Sequence, residues 1–489
     1  MSQFVRTIDG VDHYSMFING AWTSGHSTDV IEVENPATET VFATIPNGTA
    51  QDALDALETA KIAQVAWAKL PSIERGKLVF KLADAIDENR ERMANIIVAE
   101  QGKPLDQAYG EVGACSSFLR YAAENARRIE GDIMPSDSPK EEIWIRRLPY
   151  GVVVGLTAWN YPAALATRKL GPALIAGNSF VLKAHEFTPV SGLELARLAH
   201  KVGIPDGVFN VVTGAGRTVG EALVNSPVSN LVTMTGSNRA GREIYASGAD
   251  QIKVLRLELG GKAPFIVMED ADIDAAVKSA ITARFTNCGQ ICTCNERMYL
   301  QKNIADEFTE KFITQAKQLT IGQPLENPDL GPKVSGGEIE KIEQIVADAV
   351  THGAEFLLKG GPLNDGNYAK GHWYAPSVLR VPDQTSALIE QEIFGPVVPI
   401  AEFDTFDQVM TMANDTPFGL SAYVYTQNFR RVMSLSTELN FGEIYVNRTC
   451  GELVQGFHTG WGHSGLGGED GKYGFDGYLR KKSMYVNWS

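Results

Sequence analysis

Short apolar runs alternate with helical segments through the middle of the chain, and this alternation restricts the possible folds more than any other feature. The apolar runs lie at 152–156, 179–182, 209–212 and 230–234. Helical patterns separate them at 163–175, 190–202 and 219–224. Strands that are apolar on both faces are typical of a parallel sheet that helices cover on both sides. The sequence therefore predicts a doubly wound α/β sheet in this region.

A second series of the same kind follows Gly261. Its apolar runs lie at 264–267, 397–400 and 422–425, and a long helical pattern lies at 305–319. With 489 residues, the chain is too long for one hydrophobic core. A length of roughly 150 residues per domain suggests about three domains. We interpret the second series as a second α/β domain.

The flanking segments have other patterns. Residues 14–22 and 31–35 alternate and contain turn residues, which predicts a small antiparallel hairpin. Apolar positions recur at helical spacing from 50 to 128. Segments 130–150 and 472–489 both contain strand patterns, and we expect them to pair across the chain or between subunits.

The composition excludes several classes of protein. The formal net charge of −15 argues against binding to nucleic acid or to anionic membranes, because both need a basic surface. Residues 1–20 lack the apolar segment of a signal peptide, and no apolar stretch approaches the roughly 18 residues of a membrane helix. Five cysteines, an odd number, fit a reducing compartment better than a disulfide framework. We therefore expect a soluble cytoplasmic protein.

Three of the five cysteines, Cys288, Cys292 and Cys294, lie within seven residues. Their spacing differs from the paired C-x-x-C of a zinc knuckle, and the sequence holds no second cysteine pair or histidine cluster to complete a metal site. We therefore expect no bound metal. A buried packing role and a reactive thiol both remain open for these cysteines. Cys292 follows a Gly-Gln turn and is the best candidate nucleophile, since a thiol at a helix start needs no adjacent histidine.

Two glycine-rich segments, 214–220 and 236–241, each follow a predicted strand and precede a helix. Neither matches the G-x-G-x-x-G dinucleotide pattern or the phosphate loop, so a phosphate-binding turn and a simple chain reversal both remain open. Glu186 follows the strand at 179–182, at the sheet edge where ligands bind. Its carboxylate suits the ribose hydroxyls of NAD and would repel the 2′-phosphate of NADP, although Lys183 would soften that preference.

Two polar residues at the ends of apolar strands suit catalysis. Glu258 lies between two leucines, and burial there would raise the pKa of its carboxyl and suit it to general-base work. A carboxylate that faces solvent is the alternative. Asn160 could offer its amide to an oxyanion, together with the backbone N–H of Cys292. An ordinary turn asparagine is the alternative.

These residues together resemble the aldehyde dehydrogenase family. The motifs that carry the resemblance are WNYP at 159–162, KAHE at 183–186, ELGGK at 258–262, GQIC at 289–292 and EIFGPV at 392–397. They occur in the family's order, from about residue 15 to the carboxyl end. The departures are small: NYP stands where NFP is commoner, and Cys-Thr-Cys follows GQI.

The resemblance implies NAD(P)-dependent oxidation of an aldehyde to a carboxylic acid. It assigns Cys292 as the nucleophile that forms a thiohemiacetal and then a thioester. It assigns Asn160 as the oxyanion donor and Glu258 as the base for hydrolysis. It implies NAD as the cofactor, with NADP as a weaker possibility, held by Thr157, Trp159, Lys183, Glu186, Gly216, Gly236, Ser237, Leu259, Glu392 and Phe394.

The same resemblance implies an aldehyde dehydrogenase fold with two doubly wound α/β domains and a small β arm. Residues 1–129 and 151–261 would form the NAD-binding domain, and residues 262–445 the catalytic domain. Residues 130–150 and 472–489 would form the oligomerisation strands of a homodimer or homotetramer. Residues 446–471 would line the substrate pocket.

A finer resemblance leads to the lactaldehyde and glycolaldehyde dehydrogenases, through segments 445–448 and 455–458 and Trp461. It implies a short 2-hydroxyaldehyde as the substrate. The residues that would bind it are Arg168, Tyr161, Glu452 and His458.

Other functions remain open at this point. Arg168 could equally bind a carboxylate, which would favour a semialdehyde such as succinate semialdehyde. A CoA-acylating enzyme is a weaker alternative, because Glu258 favours hydrolysis. A non-catalytic protein of the same fold would lack Cys292 or Glu258, and both are present.

Overall fold

The computed structural model describes residues 3–489. The strands in chain order are β1 (Val5–Ile8), β2 (Val11–Tyr14), β3 (Met16–Ile18), β4 (Ala21–Thr23), β5 (Val30–Asn35), β6 (Thr40–Pro46), β7 (Asp132–Pro135), β8 (Glu141–Pro149), β9 (Val152–Leu156), β10 (Ser179–Lys183), β11 (Phe209–Val212), β12 (Ser229–Thr235), β13 (Val254–Glu258), β14 (Ala263–Val267), β15 (Asn295–Gln301), β16 (Glu355–Leu358), β17 (Gly361–Leu363), β18 (Trp373–Ala375), β19 (Ser377–Arg380), β20 (Val397–Phe403), β21 (Ser421–Tyr425), β22 (Glu443–Val446), β23 (Gly465–Leu466) and β24 (Leu479–Asn487).

The α-helices alternate with these strands. They are α1 (Ala50–Lys69), α2 (Ser72–Glu88), α3 (Arg90–Gln101), α4 (Leu105–Glu124), α5 (Pro162–Ala176), α6 (Val190–Lys201), α7 (Glu221–Asn225), α8 (Asn238–Gly248), α9 (Ile273–Phe285), α10 (Ala305–Ala316), α11 (Gly336–Thr351), α12 (Ala387–Glu390), α13 (Phe406–Asn414), α14 (Phe429–Glu438) and α15 (Gly471–Asp476).

The first large sheet has eight strands in the order β23-β13-β12-β9-β10-β11-β3-β4. The five strands from β13 to β11 are parallel, with β9 at their centre, so the chain winds outwards from β9 in both directions. Alternate residues of each strand point to opposite faces. Val153 and Phe180 pack in one core with α5, whereas Val154 and Val181 pack in another with α1. The predicted doubly wound sheet is confirmed.

The second large sheet has seven strands in the order β16-β19-β20-β15-β14-β21-β22. All are parallel to their neighbours except β16. Separate cores cover its two faces, one containing Ile266 and Val424 and the other containing Phe265 and Tyr423. The second α/β series of the sequence is therefore confirmed as a second sheet with helices on both sides.

A three-stranded sheet, β24-β8-β7, forms an arm beside the two large sheets. β24 pairs with β8 over nine residues, and β8 pairs with β7. The segments that the sequence predicts to pair therefore do so within one chain. β7 forms an edge of this sheet, and the Ile133 side chain on it is 69% exposed.

The predicted hairpin between 14–22 and 31–35 is wrong in its pairing. β3 and β4 form a tight hairpin with each other and join the first sheet beside β11. β5 pairs with β6 instead. Asn19 and Gly20 connect β3 to β4 with positive φ angles of 52° and 74°. An Asn-Gly pair between two short strands is a strong hairpin signal, and it is present in the sequence.

Helices α1 to α4 occupy the region that is predicted to be helical. α1 begins at a capping box, in which the Thr49 side chain accepts from Asp52 N and the Asp52 side chain accepts from Thr49 N. Among residues 3–489, no helix combines the length and the apolar content that crossing a membrane requires.

Candidate active site

Two sheets meet where the predicted catalytic residues lie. Asn160 follows β9 and Glu258 ends β13, both in the first sheet, while Cys292 lies just before β15 in the second sheet. Asn160 is 5% exposed and Glu258 is 4% exposed. The carboxyl edge of the first sheet therefore faces the start of a strand in the second. That edge is where ligands bind in open α/β sheets.

The chain reaches Cys292 through a strained turn. Asn287, Cys288 and Gly289 follow α9 with positive φ angles of 51°, 54° and 71°. Left-handed backbone is costly for residues other than glycine, and such strain often marks functional sites. The Asn287 side chain stabilises the turn by donating to the Asn160 main-chain O at 3.2 Å. The turn leaves Cys292 partly exposed, whereas Cys288 is buried.

Asn160 is connected to the same loop through its amide. Its Nδ2 donates to the Gln290 main-chain O at 3.0 Å, two residues before Cys292. Its Oδ1 is buried without a hydrogen-bond partner. An amide nitrogen carries two N–H groups, so one remains for an oxyanion formed on Cys292.

His458 lies beside Glu258 and Cys292, although it is far from both in the sequence. It is 1% exposed, and its Nε2 lies 3.3 Å from Glu258 Oε1. Glu258, Cys292 and His458 each place one side-chain atom within 4.8 Å of the corresponding atoms of the other two. The 3.3 Å contact is an ion pair that lacks hydrogen-bonding geometry, so His458 Nε2 and both Glu258 carboxylate oxygens are buried without a hydrogen-bond partner. Three reactive groups therefore face one small space.

The pKa of Glu258 is shifted in the direction opposite to the prediction. Burial raises the pKa of this carboxyl, but His458, Arg168 and Lys169 together outweigh burial and bring the pKa below its usual value of 4.5. The prediction of a raised pKa is therefore wrong, because the sequence does not reveal these neighbouring cations. Glu258 is ionised near neutral pH and can accept a proton.

The Cys292 thiol is not activated in the predicted way. Cys292 lies in a turn rather than at the start of a helix, so the prediction of activation by a helix dipole is wrong. Burial and the charge of Glu258 raise the pKa of the thiol well above 9.0, whereas His458 lowers it. Burial and Arg168 lower the pKa of His458, but Glu443, Cys292 and Glu258 raise it well above 6.5. An adjacent imidazolium is therefore the group that favours the thiolate.

A second carboxylate holds the other side of the His458 ring. His458 Nδ1 lies 3.0 Å from Glu443 Oε2, in hydrogen-bonding geometry, and 3.6 Å from Glu452 Oε1. Tyr445 Oη also donates to Glu443 Oε2 at 3.1 Å. Glu443 was not predicted from the sequence. Its signal was a carboxylate on the apolar strand that directly precedes the predicted pocket segment, 446–471.

A charged cluster lies at the carboxyl end of β10. Lys183 Nζ lies 2.9 Å from Glu186 Oε2, and Gly216 N donates to Glu186 Oε1 at 2.6 Å. Burial raises the pKa of Glu186, but Lys183 and His185 bring it below 4.5. An ionised carboxylate therefore lies at the sheet edge, with the glycine-rich segment 214–220 held against it.

The end of β12 and the start of α8 lie at the same edge. Gly236 N donates to the Glu258 main-chain O at 3.0 Å, and Ser237 Oγ accepts from Ala240 N at 3.3 Å at the start of α8. Leu259 packs against Gly241, where a Cβ atom would lie 2.6 Å from Leu259 Cδ1. The free N–H groups of a helix start suit a phosphate at this position.

Residues of the second sheet complete this region. Glu392 Oε1 accepts from Gly261 N at 2.7 Å, and the Phe394 ring packs edge-on against Trp159 at 5.4 Å between centroids. Burial and the neighbouring Glu296 raise the pKa of Glu392 to about 7. These contacts connect the EIFGPV motif to the first sheet.

The sequence profile of the aldehyde dehydrogenase family matches residues 22–484. The chain belongs to the aldehyde dehydrogenase family. It is 47% identical over 476 residues to the 3,6-anhydro-alpha-L-galactose dehydrogenase of Vibrio sp. (strain EJY3), and this alignment covers 97% of this chain and 99% of that protein. It is 42% identical over 475 residues to the lactaldehyde dehydrogenase of Escherichia coli (strain K12), and this alignment covers 97% of this chain and 98% of that protein.

The solved structures agree with this membership. A structure of 3,6-anhydro-L-galactose dehydrogenase in complex with NAP matches with a TM-score of 0.95 at 47% identity, over 97% of this chain and 100% of that chain. The predicted family and the predicted fold class are therefore confirmed. The protein is an oxidoreductase that oxidises aldehydes and uses NAD(P).

The residues of this aldehyde dehydrogenase fit such a cofactor. The predicted cofactor residues of the first sheet lie at or just after the ends of β9, β10, β11, β12 and β13, so they share one sheet edge. Glu392 and Phe394 lie in the segment before β20 of the second sheet. The hydroxyls of Thr157 and Thr235 at that edge are buried without hydrogen-bond partners. Buried polar groups normally have partners, and a bound dinucleotide would supply them.

Arg168 lies near the site, but its charge is already balanced. Its Nε donates to Asp470 Oδ1 at 2.9 Å, and its Nη2 donates to Asp470 Oδ2. Both side chains are almost fully buried, at 8% and 2% exposure. The role of Arg168 in substrate binding stays a prediction. Arg168 anchors the chain at Asp470.

Glu469 anchors the same segment of the aldehyde dehydrogenase beside His458. Lys169 Nζ donates to Glu469 Oε1 at 3.0 Å, and Thr233 Oγ1 donates to it at 2.9 Å. The backbones of His458 and Glu469 exchange hydrogen bonds of 3.0 and 2.7 Å. The segment that carries His458 is therefore held against α5 and β12.

A buried ion pair supports Asn160. Lys103 Nζ donates to Glu111 Oε2 at 2.5 Å and to the Asn160 main-chain O at 2.8 Å. Glu111 Oε1 accepts from Ala163 N at the start of α5. Lys103 also lies 3.5 Å from the centre of the Tyr161 ring. This pair was not predicted from the sequence, because Glu111 belongs to a helix that looks like a packing element and Lys103 to the short connection before that helix.

Cys288 and Cys294 have the packing role that the sequence left open. Each is 1% exposed, and Cys288 belongs to the core beneath the second sheet. All five cysteines are free. Cys292 is therefore the one partly exposed thiol of the GQICTC segment.

Proposed function

We propose that this aldehyde dehydrogenase oxidises a 2-hydroxyaldehyde to the 2-hydroxy acid, with NAD as the preferred cofactor. The observation that supports this most is the polar group of Glu443, Glu452 and His458 beside Cys292, with side-chain atoms within 4.8 Å of one another. A carboxylate accepts a hydrogen bond from a hydroxyl, and an imidazolium donates one. These residues therefore suit a hydroxyl next to the aldehyde carbon. An alkyl group there would offer these polar groups no hydrogen bond, which is unfavourable.

The charges around the thiol argue against a semialdehyde. Arg168, the one candidate for binding a substrate carboxylate, already forms a two-point ion pair with Asp470. Glu258, Glu443 and Glu452 add negative charge on the same side. A substrate carboxylate would have to displace Asp470 and approach these groups, so like-charge repulsion disfavours it.

The names of the relatives agree with this substrate class. Lactaldehyde and the open-chain form of 3,6-anhydrogalactose each carry a hydroxyl on the carbon next to the aldehyde. The two differ in size, so they support the 2-hydroxyaldehyde group and not a particular chain length.

The geometry suits covalent catalysis by Cys292. Ionised Glu258, near the thiol, accepts its proton, and the thiolate attacks the aldehyde carbon. The resulting oxyanion receives hydrogen bonds from the Asn160 amide and the Cys292 backbone N–H. NAD(P), when bound, supplies the acceptor for the hydride that leaves this carbon. Glu258 releases the thiol proton to solvent and then takes a proton from the water that hydrolyses the thioester on Cys292.

Glu186 supports NAD over NADP. Its carboxylate is ionised and lies at the end of β10, where it suits the two hydroxyls of an adenosine ribose and would repel a 2′-phosphate. Lys183, 2.9 Å away, reduces this repulsion. We therefore expect a preference for NAD rather than exclusion of NADP. The Glu186→Gln variant removes this charge, so the ratio of kcat/KM with NAD to kcat/KM with NADP should decrease.

The domain roles follow the same proposal. Residues 1–129 and 151–261 bind NAD, residues 262–445 supply Cys292, and residues 446–471 line the substrate pocket. Residues 130–150 and 472–489 form an arm for assembly of a homodimer or homotetramer. The free state of all five cysteines supports a cytoplasmic location.

A substrate panel tests the proposed function. We expect kcat/KM for lactaldehyde to exceed that for propanal, which lacks only the hydroxyl, by at least about 100-fold. Glycolaldehyde and 3,6-anhydro-L-galactose report on the size that the pocket accepts. A kcat/KM for succinate semialdehyde that exceeds the value for lactaldehyde would contradict the proposal of a 2-hydroxyaldehyde substrate. Formation of acyl-CoA on addition of CoA would indicate the CoA-acylating alternative.

A further inference from the structure

Cys292, Glu258 and His458 bring a thiol, a carboxylate and an imidazole to one space. One potential ligand atom of each lies within 4.8 Å of the others. These are the three kinds of ligand that zinc takes in proteins. The sequence predicted no metal site because the three residues are far apart along the chain, and only the tertiary structure brings them together.

The distance between two of the ligand atoms matches a zinc site. His458 Nε2 and Glu258 Oε1 are 3.3 Å apart. Zinc bonds of roughly 2.0–2.2 Å to nitrogen and oxygen give a tetrahedron with an N–O edge of about 3.4 Å. The contact lacks hydrogen-bonding geometry, and His458 Nε2 and both Glu258 oxygens are buried without a hydrogen-bond partner. A bound cation would take Nε2 and one of the two carboxylate oxygens as ligands.

The far side of His458 supports the same interpretation. Its Nδ1 lies 3.0 Å from Glu443 Oε2 in hydrogen-bonding geometry. Histidines that bind metals usually donate their other ring N–H to a carboxylate, which fixes the direction of the ligating nitrogen. Glu443 therefore holds the His458 ring with Nε2 directed toward Glu258.

We propose that Cys292, Glu258 and His458 bind a zinc ion in the cofactor-free enzyme and that this ion inhibits the enzyme reversibly. Partly exposed Cys292 gives the ion a route from solvent, and a water molecule would take the fourth position. Zinc displaces the thiol proton and any proton on Nε2 into solvent. The nucleophile and the base of the proposed reaction then both serve as ligands, so neither can act on an aldehyde.

A second group of residues is a weaker metal site. Glu443, Glu452 and His458 also place one ligand atom each within 4.8 Å of one another. A metal there would need His458 Nδ1, which already contacts Glu443 in hydrogen-bonding geometry. It would also have no thiolate ligand. The site at Cys292 keeps that hydrogen bond and offers the softer ligand set that zinc prefers.

Titration of the full-length, cofactor-free enzyme with Co²⁺ tests the proposal. Bound thiolate gives Co²⁺ a near-ultraviolet charge-transfer band, which carboxylate and imidazole ligands do not. We expect one Co²⁺ per chain, this band, and its loss when Zn²⁺ is added. Cys292→Ala should abolish the band, and His458→Gln should weaken binding at least about tenfold.

Two variants serve as matched controls. Cys450 is the other partly exposed thiol, so Cys450→Ser should bind Co²⁺ with the same band as the wild type. Glu452→Gln should also leave the band unchanged. A band that survives Cys292→Ala, or that disappears in either control, would overturn the proposal.

A measurement on the wild type avoids any loss of folding in the variants. Zn²⁺ should slow alkylation of Cys292 by iodoacetamide at least tenfold, and EDTA should restore the rate. Alkylation of Cys292 at an unchanged rate in saturating Zn²⁺ would contradict the site. Both assays measure binding rather than turnover, so their outcome is independent of the proposed substrate.

Discussion

At the scale of single residues, the neighbours of each catalytic group decide its protonation. Glu258 has a lowered pKa because His458, Arg168 and Lys169 outweigh its burial. Burial dominates for Cys292, and its thiol has a raised pKa. Two neighbouring acidic groups therefore differ in charge at neutral pH. An ionised base beside a protonated nucleophile is ready to accept the proton of that nucleophile.

Replacing Asn160 with alanine should lower kcat by about 10²–10³-fold, because the loss of one oxyanion donor has that effect in other enzymes. Folding should be preserved, since the Asn160 main-chain O still accepts from Lys103 Nζ. Steady-state rates and thermal unfolding of the variant measure the two effects. Near-normal turnover would refute the role of Asn160.

Replacing Glu258 with glutamine should slow hydrolysis of the thioester more than formation of the thioester. The amide retains the shape of the side chain but cannot take a proton from water. Rapid mixing with aldehyde and NAD should then give a burst of about one NADH per active site, followed by a slow steady rate. Absence of a burst, with a slow first turnover, would show that Glu258 acts mainly before the thioester forms.

At the scale of elements, ion pairs between buried side chains place the site residues. Arg168 and Lys169 on α5 hold Asp470 and Glu469 and so position the segment that carries His458. Lys103 and Glu111 hold the start of α5 and the main chain of Asn160 in the same way. The positions of His458 and Asn160 thus depend on charged residues of α5, of α4 and of the connection before α4.

Removing Lys103 should destabilise the protein strongly. Lys103→Met leaves the buried carboxylate of Glu111 without its cation, and loss of one partner of a buried pair costs about 3–5 kcal/mol. The matched control is Lys77→Met, which removes an exposed pair with Glu74 and should have little effect. Urea unfolding of both variants measures the difference. Equal stability of the two would contradict this account.

The Glu469 anchor should make stability depend on pH in acid. Burial raises the pKa of Glu469, but Lys169, Arg256 and Arg168 outweigh burial and lower the pKa to about 2. A carboxyl with a lowered folded-state pKa stabilises the fold above its unfolded pKa of about 4.5, and this contribution is lost as the pH falls toward about 2. The gap in Tm between wild type and Glu469→Gln should therefore be widest near neutral pH. A gap that widens in acid would contradict the assignment.

At the scale of the whole molecule, the β24-β8-β7 arm leaves β7 with an unpaired edge. Ile133 on β7 and Tyr485 on β24 are each 69% exposed. Exposed strand edges with apolar side chains are sites at which copies of a chain associate. The arm is therefore the surface through which we expect this enzyme to form its homo-oligomer.

Placing a charge on that edge should weaken assembly. Wild-type protein should have a mass in solution of two or four times 53.2 kDa, whereas Ile133→Lys should shift the population toward smaller species. Light scattering coupled to size-exclusion chromatography measures both masses. A monomeric wild type would remove the arm as an assembly surface. Lys61→Met, on the exposed face of α1, is a control that should leave the mass unchanged.

Whether a feature could be predicted from the sequence depended on how far apart along the chain the interacting residues lie. Parallel strands and their helices follow from local apolar patterns, so β9, β10 and β11 lie within a residue of their predicted bounds. The pairing of β3 with β4 was also local, in its Asn-Gly turn, but was overlooked. Glu443 was missed because its role arises only from contact with His458, fifteen residues further along the chain.

The sequence by itself determined the fold class and the family, and it predicted Cys292, Glu258 and Asn160 as the catalytic residues, because each lies in a motif that a short segment carries whole. Only the tertiary structure decided what surrounds them. It brought His458 against Glu258 and Cys292, balanced Arg168 with Asp470, and placed Cys292 in a turn rather than at a helix start. Charge interactions act through space, so the pKa of each catalytic group depends on residues that are hundreds of positions away in the chain.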